Sequence, residues 1–580
     1  MKKSMLFSVA LAGLMLGSCS SSDDLNGSGT SENKNGNGYV AFTINLPSQP
    51  SSRASSSFND DYKDGMASEY AVKDATLLLF SGTDEASANF VAAYKLSTSP
   101  WTAHAGDGNN ITTTSKKVVQ KVTKSIDNAK ALVILNNNGV FTIDETNAGI
   151  KIDGTAFSGT YKEFLEKASA TTNKTLTSTG FYMANAPLCD KAGDTTDPSA
   201  DAKVITLTDL TGKIYDTEAE AQAGEAAQVY VERAVAKVTL NKGSITQADN
   251  GTTTKVPLEI TGWAIDNTNP TTYLVRSTDG YDTWKSYATN ATSVTRKYRF
   301  VGGTAVAAGL YRTYFAKDMN FDTDATSLKR AVESDFKAEF GDDAPQYCFE
   351  NTFDVAHQNE NQTTLATIKA KLNNGTDFYI VGGDQTALYT KDNLDKLVKN
   401  KFMSIEDTWL KANVKSGETV DETDITVTYD KDAAGLIALT KVEVASSKLN
   451  DSPAALPTDY LKDVSAAVGS MVCYKNGESY YTVRIKHFGN DLTPWNKGEL
   501  GVAPGSIYPN SDGKQAENWL GRYGVLRNNW YDIEVTGVKG LGSATVPELT
   551  NTTDDELDSY IAVQINVLSW AKRTQSTVLH

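Results

Sequence analysis

Histidine is scarce. Four occur in 580 residues, at His104, His357, His487 and His580, and none lies near another. No pair has the spacing of a metalloprotease helix, and there is no Gly-x-Ser-x-Gly elbow, Walker A loop or dinucleotide fingerprint. Cysteine is as sparse. After Cys19 only Cys189, Cys348 and Cys473 remain, with no Cys-x-x-Cys, so neither a disulfide framework nor a zinc site is expected. The three read as small core hydrophobes. The Asp554-Asp555-Glu556 cluster does not match a calcium loop and reads as solvated surface. No cofactor and no metal are expected, and no enzyme, although carboxylates far apart in sequence can converge in a fold. Basic charge is in deficit: the net charge of −16 argues against nucleic acid and anionic membranes as partners. With 14 prolines and 43 glycines the chain is no low-complexity stalk. Beyond the first residues no apolar run is long enough to span a bilayer.

What is present begins with a leader. Lys2 and Lys3 precede the apolar stretch Met5 to Leu16, which is a targeting segment and not part of the fold. Leu16-Gly17-Ser18-Cys19 resembles a bacterial lipobox, which makes residues 1–18 a signal peptide and Cys19 the acylated first residue of a lipoprotein. Ser20 to Asp24 resembles a surface-export tag, and the Asn-, Gly- and Ser-rich stretch to Gly38 reads as a tether.

Val40, Phe42, Ile44 and Leu46 then alternate with Tyr39, Ala41, Thr43 and Asn45, the period of a strand with one buried face. Pro47 and Pro50 end it, and Ser51-Ser52-Arg53-Ala54-Ser55 follows, holding the first arginine of the chain. A strand that a trypsin-like protease can sever from its own domain makes sense as a placeholder, later replaced by a strand from another molecule.

The rest alternates short strands with Thr- and Asn-rich loops. Strands are expected over Val72–Phe80, Ala129–Leu135, Val229–Leu240, Leu258–Asp266, Tyr298–Val301, Gly309–Phe315, Asp377–Val381, Val525–Val538 and Ser559–Ser569. Met471 to His487, with Asn476-Gly477 inside it, predicts a hairpin. Tyr161–Ala168, Leu328–Phe340 and Leu394–Phe402 have helical spacing. Glu232, Arg233 and Lys237 read either as charges paired at a sheet margin or as a solvated face. The fold class is mostly β with a few helices, in two β-sandwich-like (transthyretin-like, Greek-key) domains in tandem. The expected boundaries are 19–53 for a propeptide, 54–242 and 243–580.

Several phrases occur together in order: GFYMANAP at Gly180 to Pro187, VERAVAKV at Val231 to Val238, GWAIDNTN at Gly262 to Asn269 and YCFENTF at Tyr347 to Phe353. YYTVRIKH at Tyr480 to His487, GVLRNNWYDIEVTGVKGLG at Gly524 to Gly542 and VLSWAKRTQSTVL at Val567 to Leu579 complete the set. As an ordered set it resembles the Bacteroidetes fimbrillins (type V pilins), and within them the Mfa-type fimbrium shaft proteins. The resemblance implies a surface-exported, lipid-anchored precursor at the outer membrane. An arginine-specific protease would cut the Arg53–Ala54 bond, and the strand Tyr39 to Leu46 would leave the 54–242 acceptor domain. The tail after Trp570, about 571–580, would be the donor strand, with Val578 and Leu579 as its anchors. Partners would be further copies in a head-to-tail polymer, anchor and tip subunits, the protease, and a host or bacterial surface ligand, in support of adhesion and biofilm formation. One departure stands out. Ile561, Val563, Ile565 and Val567 alternate cleanly, whereas the tail beyond is mostly polar, so the donor starts earlier or the tail is a plain terminal strand. The alternatives to a shaft subunit are a tip or accessory adhesin and a surface glycan-binding lipoprotein.

Overall fold

A computed structural model of the chain describes residues 37–46, 66–98, 102–103, 114–123, 126–167, 169–171, 180–186, 188–189, 204–277, 314–320, 327–351, 359–432, 435–485, 524–550 and 571–579. Cys19, Arg53, Ala54, Trp570 and the expected strands at 298–301 and 559–569 lie outside the described residues. Most elements are strands, joined by a few short helices.

A ten-stranded sheet organises the first part of the chain. Its order runs Asn89–Leu96, Ala75–Ser81, Ala129–Leu135, Met183–Asn185, Ala227–Arg233, Asn37–Asn45, Thr114–Thr123, Thr102–Ala103, with Thr208–Asp209 and Ile214–Tyr215 attached at its sides. The Ala75–Ser81 strand is buried on both faces, as its apolar run implies. Leu77 and Leu79 enter one core and Leu78 and Phe80 another.

The apolar run at 229–240 is not one strand. It breaks at Ala234. Ala227–Arg233 stays in the first sheet, while Val235–Asn241 lies antiparallel to Gln346–Phe349 and parallel to Asn529–Val538 in a second sheet. No turn residue marks the change, and the chain is buried from Val231 through Ala234 to Leu240.

The Met471–His487 hairpin is also corrected. Asn476 (φ 53°) and Gly477 (φ 65°) do form a turn, but the strands beside it diverge. Met471–Tyr474 pairs with Phe378–Val381, and Glu478–Arg484 pairs with Leu365–Leu372. The matching turn at Asn373–Gly375 lies alongside, so a two-stranded ribbon bends as a unit. A Cβ at Gly477 would meet the Leu372 carbonyl oxygen at 2.1 Å, which is why glycine stands there.

The expected helix at 328–340 is absent apart from one short turn at Glu333–Asp335. The segment instead runs beside Val256–Asp266, bridging Thr268 to Lys329 and Trp263 to Lys337, and the buried Asp266 carboxylate holds Arg330 and the Ala331 N–H. Those backbone bonds replace the ones a helix would have supplied.

At the far end of the bent ribbon sits an insert. Lys391–Ile405 is a helix capped by the Thr390 hydroxyl, and it buries Leu394, Val398 and Phe402 at helical spacing. With Tyr460–Val468 and the Ile425–Lys431/Ile437–Val444 hairpin it encloses a core of its own. The insert enters and leaves through one neck, where the Gly382 N–H donates to the Ser470 carbonyl at 2.7 Å.

Candidate functional site

The Asn37–Asn45 strand, hereafter the lead strand, lies inside the ten-stranded sheet and not at its edge. On one side it runs antiparallel to Thr114–Thr123 along its whole length, from Asn37 opposite Thr123 to Asn45 opposite Ser115. On the other it pairs first with Ile214–Tyr215 and then, in parallel, with Ala227–Arg233, Phe42 opposite Ala227 and Ile44 opposite Val229. Val40, Phe42 and Ile44 are fully buried and Leu46 is 1% exposed. They pack with Leu77, Leu79, Val133, Val229 and Val231 in a single core. The alternation read from the sequence therefore describes a buried face, and Ala41 on the opposite face is buried as well. A short helix, Glu218–Ala223, is started by a reciprocal bond pair between Thr217 and Glu220, and its Gln222 carbonyl accepts from Lys117 at 2.7 Å. The helix packs against the lead strand, Ile214–Tyr215 and Thr114–Thr123.

Without the lead strand, both neighbours would present rows of unpaired N–H and C=O groups beside an apolar groove. Four apolar side chains at roughly 1.5–3 kcal/mol each contribute a gross gain of about 6–12 kcal/mol to whatever strand fills that groove, before ordering costs.

The other chain end is a strand too. Ala571–Leu579 runs parallel to Asn529–Val538, from Ala571 opposite Asn529 to Leu579 opposite Val538, at the end of its four-stranded sheet. Val578 and Leu579 fall in this strand, opposite Gly537 and Val538. Among the described residues the two strands are thus placed differently: the lead strand is bonded along both sides, the tail along one.

Between the sheets lies a buried set of charges. The Glu69 carboxylate is 2.8 Å from Lys237 Nζ, with both side chains 1% exposed. It also accepts from the Tyr347 hydroxyl at 2.5 Å, and Lys237 Nζ stands 3.8 Å from the Trp530 ring centre. Burial pulls the Lys237 pKa down and the Glu69 charge opposes that pull, while burial beside Glu69 holds Tyr347 well above the usual phenol range. Arg276 grips Glu232 through Nε at 2.7 Å and Nη2 at 2.8 Å, and Arg527 meets Glu350 at 2.5 Å. Glu232, Arg233 and Lys237 are therefore not a solvated face: Glu232 meets Arg276, Lys237 meets Glu69, and the Arg233 Nε–H donates to the Glu69 carbonyl. Adjacent charges inside an apolar strand were the signal, but their partners lie far away in sequence. Among the described residues Cys348 and Cys473 are free and buried, and burial pushes the Cys348 thiol up to about 12. Among the described residues no group of three or more His, Cys, Asp or Glu side chains gathers, and no helix is long and apolar enough to cross a membrane.

Residues 504–576 match the family described as "Major fimbrial subunit protein type IV, Fimbrillin, C-terminal". That stretch is similar to the C-terminal part of a fimbrillin, and the match supports the fimbrillin family for the chain. Within the matched stretch the structure describes 524–550 and the start of the tail strand, so the match takes in the Asn529–Val538 strand and the tail as far as Ser576 but not Val578 and Leu579. No curated protein matches the chain by sequence. Among solved structures it is similar to a fimbrilin (fimA) from Porphyromonas gingivalis W83, at 11% identity over 93% of this chain and 97% of that one, with a TM-score of 0.31. It is also similar to a fimbrial assembly protein from Parabacteroides distasonis ATCC 8503, at 8% identity over 57% and 81% with a TM-score of 0.26. The tip fimbrial protein Mfa3 from Porphyromonas gingivalis is a third, at 10% identity over 59% and 79% with a TM-score of 0.21. Scores this low add no weight to the fimbrillin match, which rests on residues 504–576. That match supports a fimbrial subunit role.

Proposed function

We propose that this chain is a fimbrial shaft subunit whose lead strand is a temporary occupant. The precursor is exported as a lipoprotein through Cys19 at the outer membrane, cut between Arg53 and Ala54 by an arginine-specific protease, and polymerised by strand exchange between a 54–242 acceptor and a 243–580 donor. The observation that carries this reading is the lead strand itself: central, apolar and bonded on both sides, yet separated from the next described residue by the stretch that holds Arg53. A permanent central strand has no need of a cuttable link.

The tail supplies the other half. At its sheet edge it makes one ladder, whereas in a neighbour's groove it would make two, and that difference favours transfer. The contact joins unlike surfaces, groove to tail, so repetition gives an open fibre and not a closed ring. In that role the fibre supports adhesion and biofilm formation, and the subunit's neighbours are copies of itself, an anchor and a tip.

Incubating purified precursor with an arginine-specific protease tests the reading. A ladder of oligomers on unheated SDS gels is expected. Cut monomer that has lost residues 37–53 and forms no ladder would count against it.

A further inference from the structure

We propose that Glu69 is the pin that keeps the ten-stranded sheet in place once the chain ahead of it is cut, a positioning residue for strand exchange; this rests on the shaft-subunit reading. Glu69 lies between Arg53 and the Ala75–Ser81 strand, so it is the first fully buried charged side chain that the described structure offers beyond the expected cut. Its contacts reach outside its own sheet. Lys237 and Tyr347, which hold its carboxylate at 2.8 and 2.5 Å, face each other across the second sheet, from Val235–Asn241 and Gln346–Phe349. The Arg233 Nε–H donates to the Glu69 carbonyl at 3.2 Å, and the Glu69 carboxylate turns back to the Met66 N–H at 3.0 Å, closing the short turn Ala67–Tyr70.

The consequence follows from which sheet bears the load. Cutting after Arg53 turns a segment tethered at both ends into a free end leading into Ala75–Ser81. That strand borders Asn89–Leu96 and Ala129–Leu135 and lends Leu77 and Leu79 to the core that also lines the groove. A free end frays inward until something stops it. The stop must not depend on the sheet that is losing a strand. Lys237 and Tyr347 meet that condition, because neither belongs to that sheet. The groove then keeps its shape while it stands empty.

An ordinary structural ion pair would matter equally before and after the cut; a pin matters after it. Hydrogen exchange of the Ala75–Ser81 amides is therefore read in the full chain with and without protease treatment. The comparison covers the wild type, Tyr347→Phe, and the double variant Glu69→Gln/Lys237→Met, which removes both charges so that neither is left alone. Wild-type exchange should change by less than about twofold on cutting, whereas the double variant should exchange about tenfold or more faster after the cut and little faster before it. Tyr347→Phe should fall between. Equal protection in the cut wild type and cut double variant, or loosening of the cut wild type itself, would overturn the assignment. Whether the severed strand leaves is read separately by mass, so a strand that stays counts against polymerisation and leaves the exchange comparison intact.

Discussion

Phe42→Ala should weaken the uncut chain severely and leave the assembled subunit unaffected. Phe42 is fully buried among Leu77, Leu79 and Val229, and truncating a buried phenylalanine costs about 3–5 kcal/mol. In the precursor that loss should appear as a lower urea midpoint with unchanged slope. In the fibre, residue 42 has gone with its strand, so the resistance of variant fibres to heat and SDS should match the wild type. A permanent strand would make the variant equally weak in both states. The contrast between the states is the informative part, since loss of stability in the precursor alone would only restate that Phe42 is buried.

Removing residues 571–580 should abolish oligomer formation after the cut, to below about one part in a hundred of the wild-type yield, while cutting itself proceeds normally. Among the described residues the tail lies at a sheet edge and its loss uncovers one side of Asn529–Val538, so the remaining monomer should stay folded. The companion variant replaces Ile561, Val563, Ile565 and Val567 with threonine. If that variant alone loses the ladder, and the 571–580 deletion keeps it, the donor starts earlier than the tail. The four apolar residues of the lead strand recur at the same two-residue spacing from Ile561, which makes this the sharpest rival assignment within the chain.

Legibility in the sequence followed burial pattern. The lead strand was readable because one face is apolar and the other is not, so Val40, Phe42, Ile44 and Leu46 stand out. The Lys391–Ile405 helix was readable for the same reason at a different period. Readability failed where burial is uniform. Ala227–Arg233 and Val235–Asn241 merge into one run, because the chain is buried without a break from Val231 to Leu240 as it passes from one sheet to another through Ala234. It failed again at Asn476-Gly477, where the turn is real but its flanking strands pair with partners roughly a hundred residues back in the chain, and sequence adjacency implies the wrong neighbour. The Glu69–Lys237 contact, which joins residues far apart in sequence, could not be read at all; only the improbability of lysine inside an apolar strand hinted that a partner existed.

The most direct measurement is the N-terminal residue of subunits taken from intact surface fibres. An end at Ala54, with residues 37–46 missing from the fibre's mass, is the predicted result. Subunits that begin at acylated Cys19 and still carry their own lead strand would contradict the account.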